Sequence, residues 1–180
     1  NNKAGGHVGA LVIQGHASMD LENAKISGNT ATYLGGGVFF SNPGYGTLKN
    51  VEISENTAGT QGGGVYIGKN SRGELDNVTI RDNVAGKDYG GGLVNRGSVV
   101  IRNSKILNNE VKDGMGGGIA TFKTASELLA DDAGVFVENC VISGNKAGAQ
   151  GGAINVHRGC PVYLTDCTIT DNFAGLEGGA

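Results

Sequence analysis

The feature that most constrains this chain is an asparagine that returns at a nearly fixed interval. Asn2, Asn29, Asn56, Asn83, Asn109, Asn145 and Asn172 are separated by 27, 27, 27, 26, 36 and 27 residues. Six residues before each, from the second onward, stand Asn23, Asn50, Asn77, Asn103, Asn139 and then Asp166. The segments so framed read NAKISGN, NVEISEN, NVTIRDN, NSKILNN, NCVISGN and DCTITDN. A small residue follows, then a glycine cluster at 35–37, 62–64, 90–92, 116–118, 151–152 and 178–179. Val38, Val65, Leu93, Ile119 or Ile154 comes next. A fixed period of this length marks stacked units, none of which can bury its apolar face alone.

Short period-2 apolar stretches divided by Gly and Asn suit one coil of a parallel β-solenoid, with roughly three short strands per coil. A helical repeat would need apolar residues at 3.6 spacing, and each glycine would cost it about 1 kcal/mol. Leu48, Asn50, Val51, Ile53 and Asn56 instead read as an inward strand–bend–strand set. The expected fold is all-β: one right-handed, single-stranded parallel β-helix over residues 1–180, about 27 residues per coil and six to seven coils. Handedness follows from the crossover rule. Equivalent residues then stack at ~4.8 Å.

Glycine supplies 34 of the 180 residues, against about 7% in an ordinary chain. With two prolines and no strict Gly-x-y period, collagen is excluded. Stacked corners explain the excess, since they leave little room for a Cβ and often need positive φ. The asparagines fit the same logic, because a bent backbone strands polar groups that need partners. Asn tolerates the left-handed region and carries both donor and acceptor. Both columns, Asn23, Asn50, Asn77, Asn103 and Asn139 with Asn29, Asn56, Asn83, Asn109, Asn145 and Asn172, are expected to point inward as hydrogen-bonded ladders. Asn77-Val78-Thr79 matches a glycosylation sequon, but a ladder asparagine would be a poor acceptor.

Gly151-Gly152-Ala153-Ile154 followed by Ile169-Thr170-Asp171-Asn172 resembles the GGA(I/L/V) and FxxN repeats of chlamydial-type polymorphic outer membrane proteins. Related repeats occur in other bacterial and microbial-eukaryote surface proteins. The resemblance implies a right-handed β-helix in an autotransporter passenger or another extracellular, adhesive or structural protein. Cell-surface or extracellular placement is the corresponding expectation.

Outward positions are the ones free to carry chemistry. One column runs Glu22, Lys49, Asp76, Arg102, Glu138 and Thr165, alternating in sign as a register-fixing ion ladder would. Another runs Gly28, Glu55, Asp82, Asn108, Gly144 and Asp171. There Glu55 and Asp82 are either a cation or acid–base pair, or two carboxylates splayed into water. The Ca²⁺-binding β-roll signature is missing. His7, His16 and His157 fall at unrelated repeat positions, and the adjacent Asp131-Asp132 has no acid-rich column around it. Thr79, Thr168 and Thr170 make no long threonine array of the kind ice binding uses. The pattern therefore nominates no catalytic, cofactor-binding or metal-ligating residue.

Cys140 and Cys167 hold one repeat position, where other coils have Ala24, Val51, Val78 and Ser104. They read as small core fillers, with a disulfide as the alternative, while Cys160 is expected to be unpaired. The long interval carries an insertion loop at 123–132 with helix-forming character and Ser126 as a candidate N-cap. Asn42-Pro43-Gly44-Tyr45 and Asn70-Ser71-Arg72-Gly73 lie at the same edge, which is the expected contact edge. A net charge of −3, with Lys and Arg scattered, gives no nucleic-acid footprint, and no apolar run is long enough to span a membrane. The functional expectation is a stiff structural or adhesive rod, with a carbohydrate-active or glycan-binding β-helix as the alternative. A stack open at both ends would be covered by further coils of a parent chain, a cap or another copy end to end.

Overall fold

The computed structural model describes residues 1–123 and 134–179, so most of the 123–132 insertion, Ser126 and Asp131-Asp132 lie outside the described residues. Among those described, short strands from β1 (Lys3–Ala4) to β25 (Phe173–Ala174) form four parallel sheets. One coil shows the path. β6 (Val38–Phe40) lies in sheet B, β7 (Tyr45–Lys49) in sheet C, β8 (Glu52–Ser54) in sheet D and β9 (Thr57–Ala58) in sheet A. The chain then returns as β10 (Val65–Ile67), paired residue for residue with β6.

Each full coil thus has four strands rather than the expected three, because its bends are sharper than the apolar pattern suggests. Left-handed residues make three of the corners. The first is Asn50 and its equivalents Asn23, Asn77, Asn103, Asn139 and Asp166, at φ between 51° and 54°. The second is the Glu55 column, from Gly28 to Asp171, and the third is the leading glycine of each cluster, such as Gly62 at φ 66°. A left-handed residue between two extended segments redirects the chain within a single position. The fourth corner, between sheets B and C, is the variable loop.

The later glycines of each triple cluster serve close approach. A Cβ on Gly63 would stand 2.4 Å from the Gly91 carbonyl oxygen, and one on Gly64 2.7 Å from that of Gly92. Any side chain here would push two coils apart. This is why the triple glycine adjoins the β-prone Val65-Tyr66-Ile67: it turns the corner and lies flush on the next coil.

Register holds although the period varies. Val65 pairs with Leu93, 28 residues on, whereas Arg72 pairs with Ser98, 26 on. The shorter loop at Arg96-Gly97, compared with Gly68–Ser71, removes the difference. The extra residue enters between Ala85 and Tyr89, whose partners are Ala58 and Gln61. The core-facing stretches keep step because a one-residue slip there would turn every side chain to the opposite face.

The interior is lined by Leu48, Leu75, Ile101 and Val137 of sheet C, Ile53, Ile80, Ile106 and Ile142 of sheet D, and Val38, Val65, Leu93 and Ile119 of sheet B. A second apolar cluster covers the outside of sheet B, where Phe39, Tyr66, Val94 and Ala120 meet Leu34, Tyr89 and Phe122. Burial on both faces explains why these strands read as continuous apolar runs rather than alternating ones.

Candidate functional site

The inner asparagines form a saturated column. The backbone N–H and the Nδ2 of Asn56 both donate to Asn83 Oδ1 at 3.0 Å, and Asn83 does the same to Asn109 at 3.1 and 3.0 Å. Nδ2 also donates back to the interior of the preceding coil, from Asn83 to the Ile53 carbonyl at 2.9 Å and from Asn109 to that of Ile80 at 3.0 Å. Asn29, Asn56, Asn83, Asn109 and Asn145 are buried, and Asn172 is half-buried. Every donor and acceptor of the amide is used, which is what burial of a polar side chain requires.

The outer column does not point inward. Asn23, Asn50, Asn77, Asn103 and Asn139 are exposed, and the inward reading of Asn50 fails with them. Their positive φ aims the side chain at solvent, where the amides still chain together. Asn50 Nδ2 donates to Asn23 Oδ1 at 3.0 Å, Asn77 to Asn50 at 2.8 Å and Asn139 to Asn103 at 2.9 Å. Asn103 turns aside to Asp76 Oδ1 at 2.7 Å, in the 26-residue coil. This ladder donates toward the N-terminal coil, opposite in sense to the buried one. The Asn77 sequon therefore lies on the surface, its amide held by Asn50 rather than enclosed.

The outward charges pair between coils. Lys49 Nζ is 3.8 Å from Glu22, and Arg102 Nε donates to Glu138 Oε2 at 3.1 Å. Glu55 and Asp82 do not make an isolated acidic pair, because the Arg81 guanidinium lies 2.6 Å from Asp82 and 4.0 Å from Glu55. Arg81 also reaches Glu52 at 2.8 Å, while Lys25 approaches Glu52 at 3.0 Å. Hydrogen bonds from Lys25 and then Ser54, with the field of Arg81, hold the Glu52 carboxyl down at about 2. The Arg81 guanidinium is shifted up, first by Asp82. A guanidinium inside the cluster does the work a cation would do. Among the described residues no three His, Cys, Asp or Glu side chains converge as metal ligands.

The histidines stay apart. His7 sits against Tyr33 and His157 near Tyr89, with ring centroids 5.3 and 6.5 Å apart, and His16 occupies a left-handed bend. The three cysteines are free thiols. Cys140 is buried, which pushes its thiol pKa up, and Cys167 lies half-buried one coil on. Cys160 is buried against Thr121 Oγ1, with Asn95 Nδ2 at 3.8 Å. Among the described residues no helix is long and apolar enough to cross a membrane.

A groove on the outer face of sheet C escaped the sequence reading. It has a volume of about 320 Å³ and is lined by Val100, Arg102, Phe136, Val137, Glu138, Tyr163 and Thr165. The Phe136 and Tyr163 rings are stacked at 4.8 Å and 11°, and are 43% and 53% exposed. Strand pairing places Val100, Phe136 and Tyr163 in one column, two residues before the charged one. Coils nearer the N-terminus put Asp20, Thr47 and Glu74 there. The polar-to-aromatic change along one outward column was the signal available in the sequence.

The sequence matches, over residues 1–177, the family described as the right handed beta helix region. The chain belongs to the right-handed β-helix family. No curated protein and no solved structure matches this β-helix. Family membership fixes the architecture and leaves the activity open, because right-handed β-helices include both enzymes and binders.

Proposed function

We propose that this β-helix is a structural or adhesive rod of the cell surface or extracellular space, contacting partners through loops at the sheet B–sheet C edge. The observation that carries this reading is the division of labour around the coil. Three corners are held by left-handed residues, and outward charges bond between coils. Length changes by one residue between sheets A and B, where Ala85 and Leu93 match Ala58 and Val65, and by more at the fourth corner and in the 36-residue coil. Insertions concentrated at one edge of a solenoid are how such proteins vary a binding surface on a fixed scaffold. Tyr45 and Arg72 open successive sheet C strands at this edge, both exposed. The surface placement draws on the GGA(I/L/V)-type repeats.

The test coats beads with the purified chain and measures their attachment to cells and matrix under flow, alongside surface labelling of the cells that make the protein. Attachment that falls when Tyr45 and Arg72 are both replaced by Ala supports the reading. Exclusively intracellular protein, or chain-cleaving activity on polysaccharides, overturns it. Glycan binding, with or without cleavage, is favoured by one observation, the aromatic groove on sheet C.

A further inference from the structure

We propose that the groove on sheet C binds a linear, neutral hexopyranose glycan, with Phe136 and Tyr163 as its apolar wall and Arg102, Glu138 and Thr165 as its hydrogen-bonding wall. This rests on the reading of the chain as a binding rod and supplies a partner class and a second contact surface.

The lining residues come in pairs from three successive strands of sheet C: Val100 with Arg102, Phe136 with Glu138, and Tyr163 with Thr165. Each pair brackets one outward-facing gap, and strand stacking repeats that gap every ~4.8 Å. The groove therefore runs along the solenoid axis across several coils, which suits a chain rather than a compact ligand. Its volume of about 320 Å³ lies at the low end for ligand sites.

Two half-exposed rings stacked at 4.8 Å present more apolar surface than an ordinary exposed sheet position does. Facing them, the Arg102 guanidinium supplies only donors, the Glu138 carboxylate only acceptors, and the Thr165 hydroxyl both. A pyranose ring matches this division, since its C–H faces are apolar and its hydroxyl edge both donates and accepts. A purely apolar ligand would cover the ion pair without replacing its hydration, which is costly.

Arg102 and Glu138 are bonded to each other at 3.1 Å, so the polar wall carries no net charge. A uronate or sulfated chain would meet the Glu138 carboxylate as readily as the guanidinium. Charge balance selects a neutral sugar.

The experiment titrates the whole chain with cellohexaose, mannohexaose, laminarihexaose and maltohexaose by calorimetry, with polygalacturonate as the anionic comparison. Binding of at least one neutral hexasaccharide is expected. Phe136→Ala and Tyr163→Ala should each weaken it by about tenfold, the size of a loss at a central contact residue. Val100→Tyr, which extends the stack by one coil, should tighten it. All three positions face outward, and unchanged melting curves would show that the fold is intact. The proposal is overturned if no neutral hexasaccharide binds at millimolar concentration, if both alanine variants bind as well as the parent, or if only polygalacturonate binds. Cell attachment by the coated beads in the absence of neutral-glycan binding removes this inference and leaves the rod reading standing. Chain cleavage during the titration removes the rod reading while the alanine variants still report on the groove.

Discussion

At Asn83 one side-chain amide serves four bonds: two accepted from Asn56, one donated to the Ile53 carbonyl and one to Asn109. Alanine there leaves the Asn56 donors and the Ile53 carbonyl of the preceding coil without a partner, while Asn109 Oδ1 keeps the backbone N–H of residue 83, at a cost of about 1–3 kcal/mol. Asn77 has a different task, holding φ at 53° in an exposed corner. Asn77→Ala should cost ~1–2 kcal/mol through the left-handed backbone, and Asn77→Gly should recover nearly all of it. Glycine should not rescue position 83, where the amide matters rather than the dihedral. Denaturant midpoints of the four variants decide this. Equal losses for Asn77→Gly and Asn83→Gly would contradict the separation of roles. Both columns were legible in the sequence as repeats, but the letter Asn hides which role applies. A trace of the difference is present: the outer column accepts Asp166, which turns the corner without an amide donor, whereas the inner column is Asn in every coil.

Strands and the columns they carry respond to conditions as units. On sheet D, Glu52 links Lys25 of the preceding coil to Arg81 of the following one. Its carboxyl is lowered from 4.5 in the unfolded chain to about 2. The network's contribution is therefore complete above about pH 4.5 and lost as pH falls toward 2. Because Glu52 is one-third exposed, the effect is modest, at most about 1 kcal/mol. Glu52→Gln should flatten the acid limb of a stability–pH curve between those values, and salt should shrink the difference between the two proteins. An unchanged acid limb would remove the network from the account. Cys140 and Cys167 sit in register on adjacent coils, with Thr168 N–H donating to the Cys140 carbonyl at 2.9 Å. Stacked parallel side chains keep Cβ atoms near the ~4.8 Å strand spacing, beyond the ~3.8 Å that a disulfide prefers. Both thiols should stay free in oxidised glutathione, and Cys167 should alkylate well before the buried Cys140. A Cys140–Cys167 peptide in a non-reducing map would overturn this. The pairing of these positions was readable from the repeat. The fourth strand of each coil was not, because single left-handed residues leave no gap in the apolar pattern.

Across the whole molecule, each coil contacts its neighbours through equivalent residues, so the stack should tolerate the loss of one complete unit. Removing residues 57–83 joins Asn56 to Val84, and Val84 pairs with Thr57 in the intact protein. Asn56 then takes the place of Asn83 beneath Asn109, while Thr30, Tyr45 and Glu52 acquire Val84, Ser98 and Lys105 as new neighbours in unchanged register. The shortened protein should keep its β-sheet signal per residue and lose one coil, ~4.8 Å, along the axis in small-angle scattering. Removing Ile80 alone should be far more harmful. It would draw Asn83 out of the buried ladder into the corner held by Asp82, and shift the strand Thr79–Arg81 by one face. Removing Lys69 instead should cost little, because it lies in the loop that another coil already shortens to Arg96-Gly97. If the single-residue Ile80 deletion folds while the 27-residue deletion collapses, register is not what holds these coils together. The opposite order ties stability to the interlocking of inner asparagines and corner residues, coil on coil.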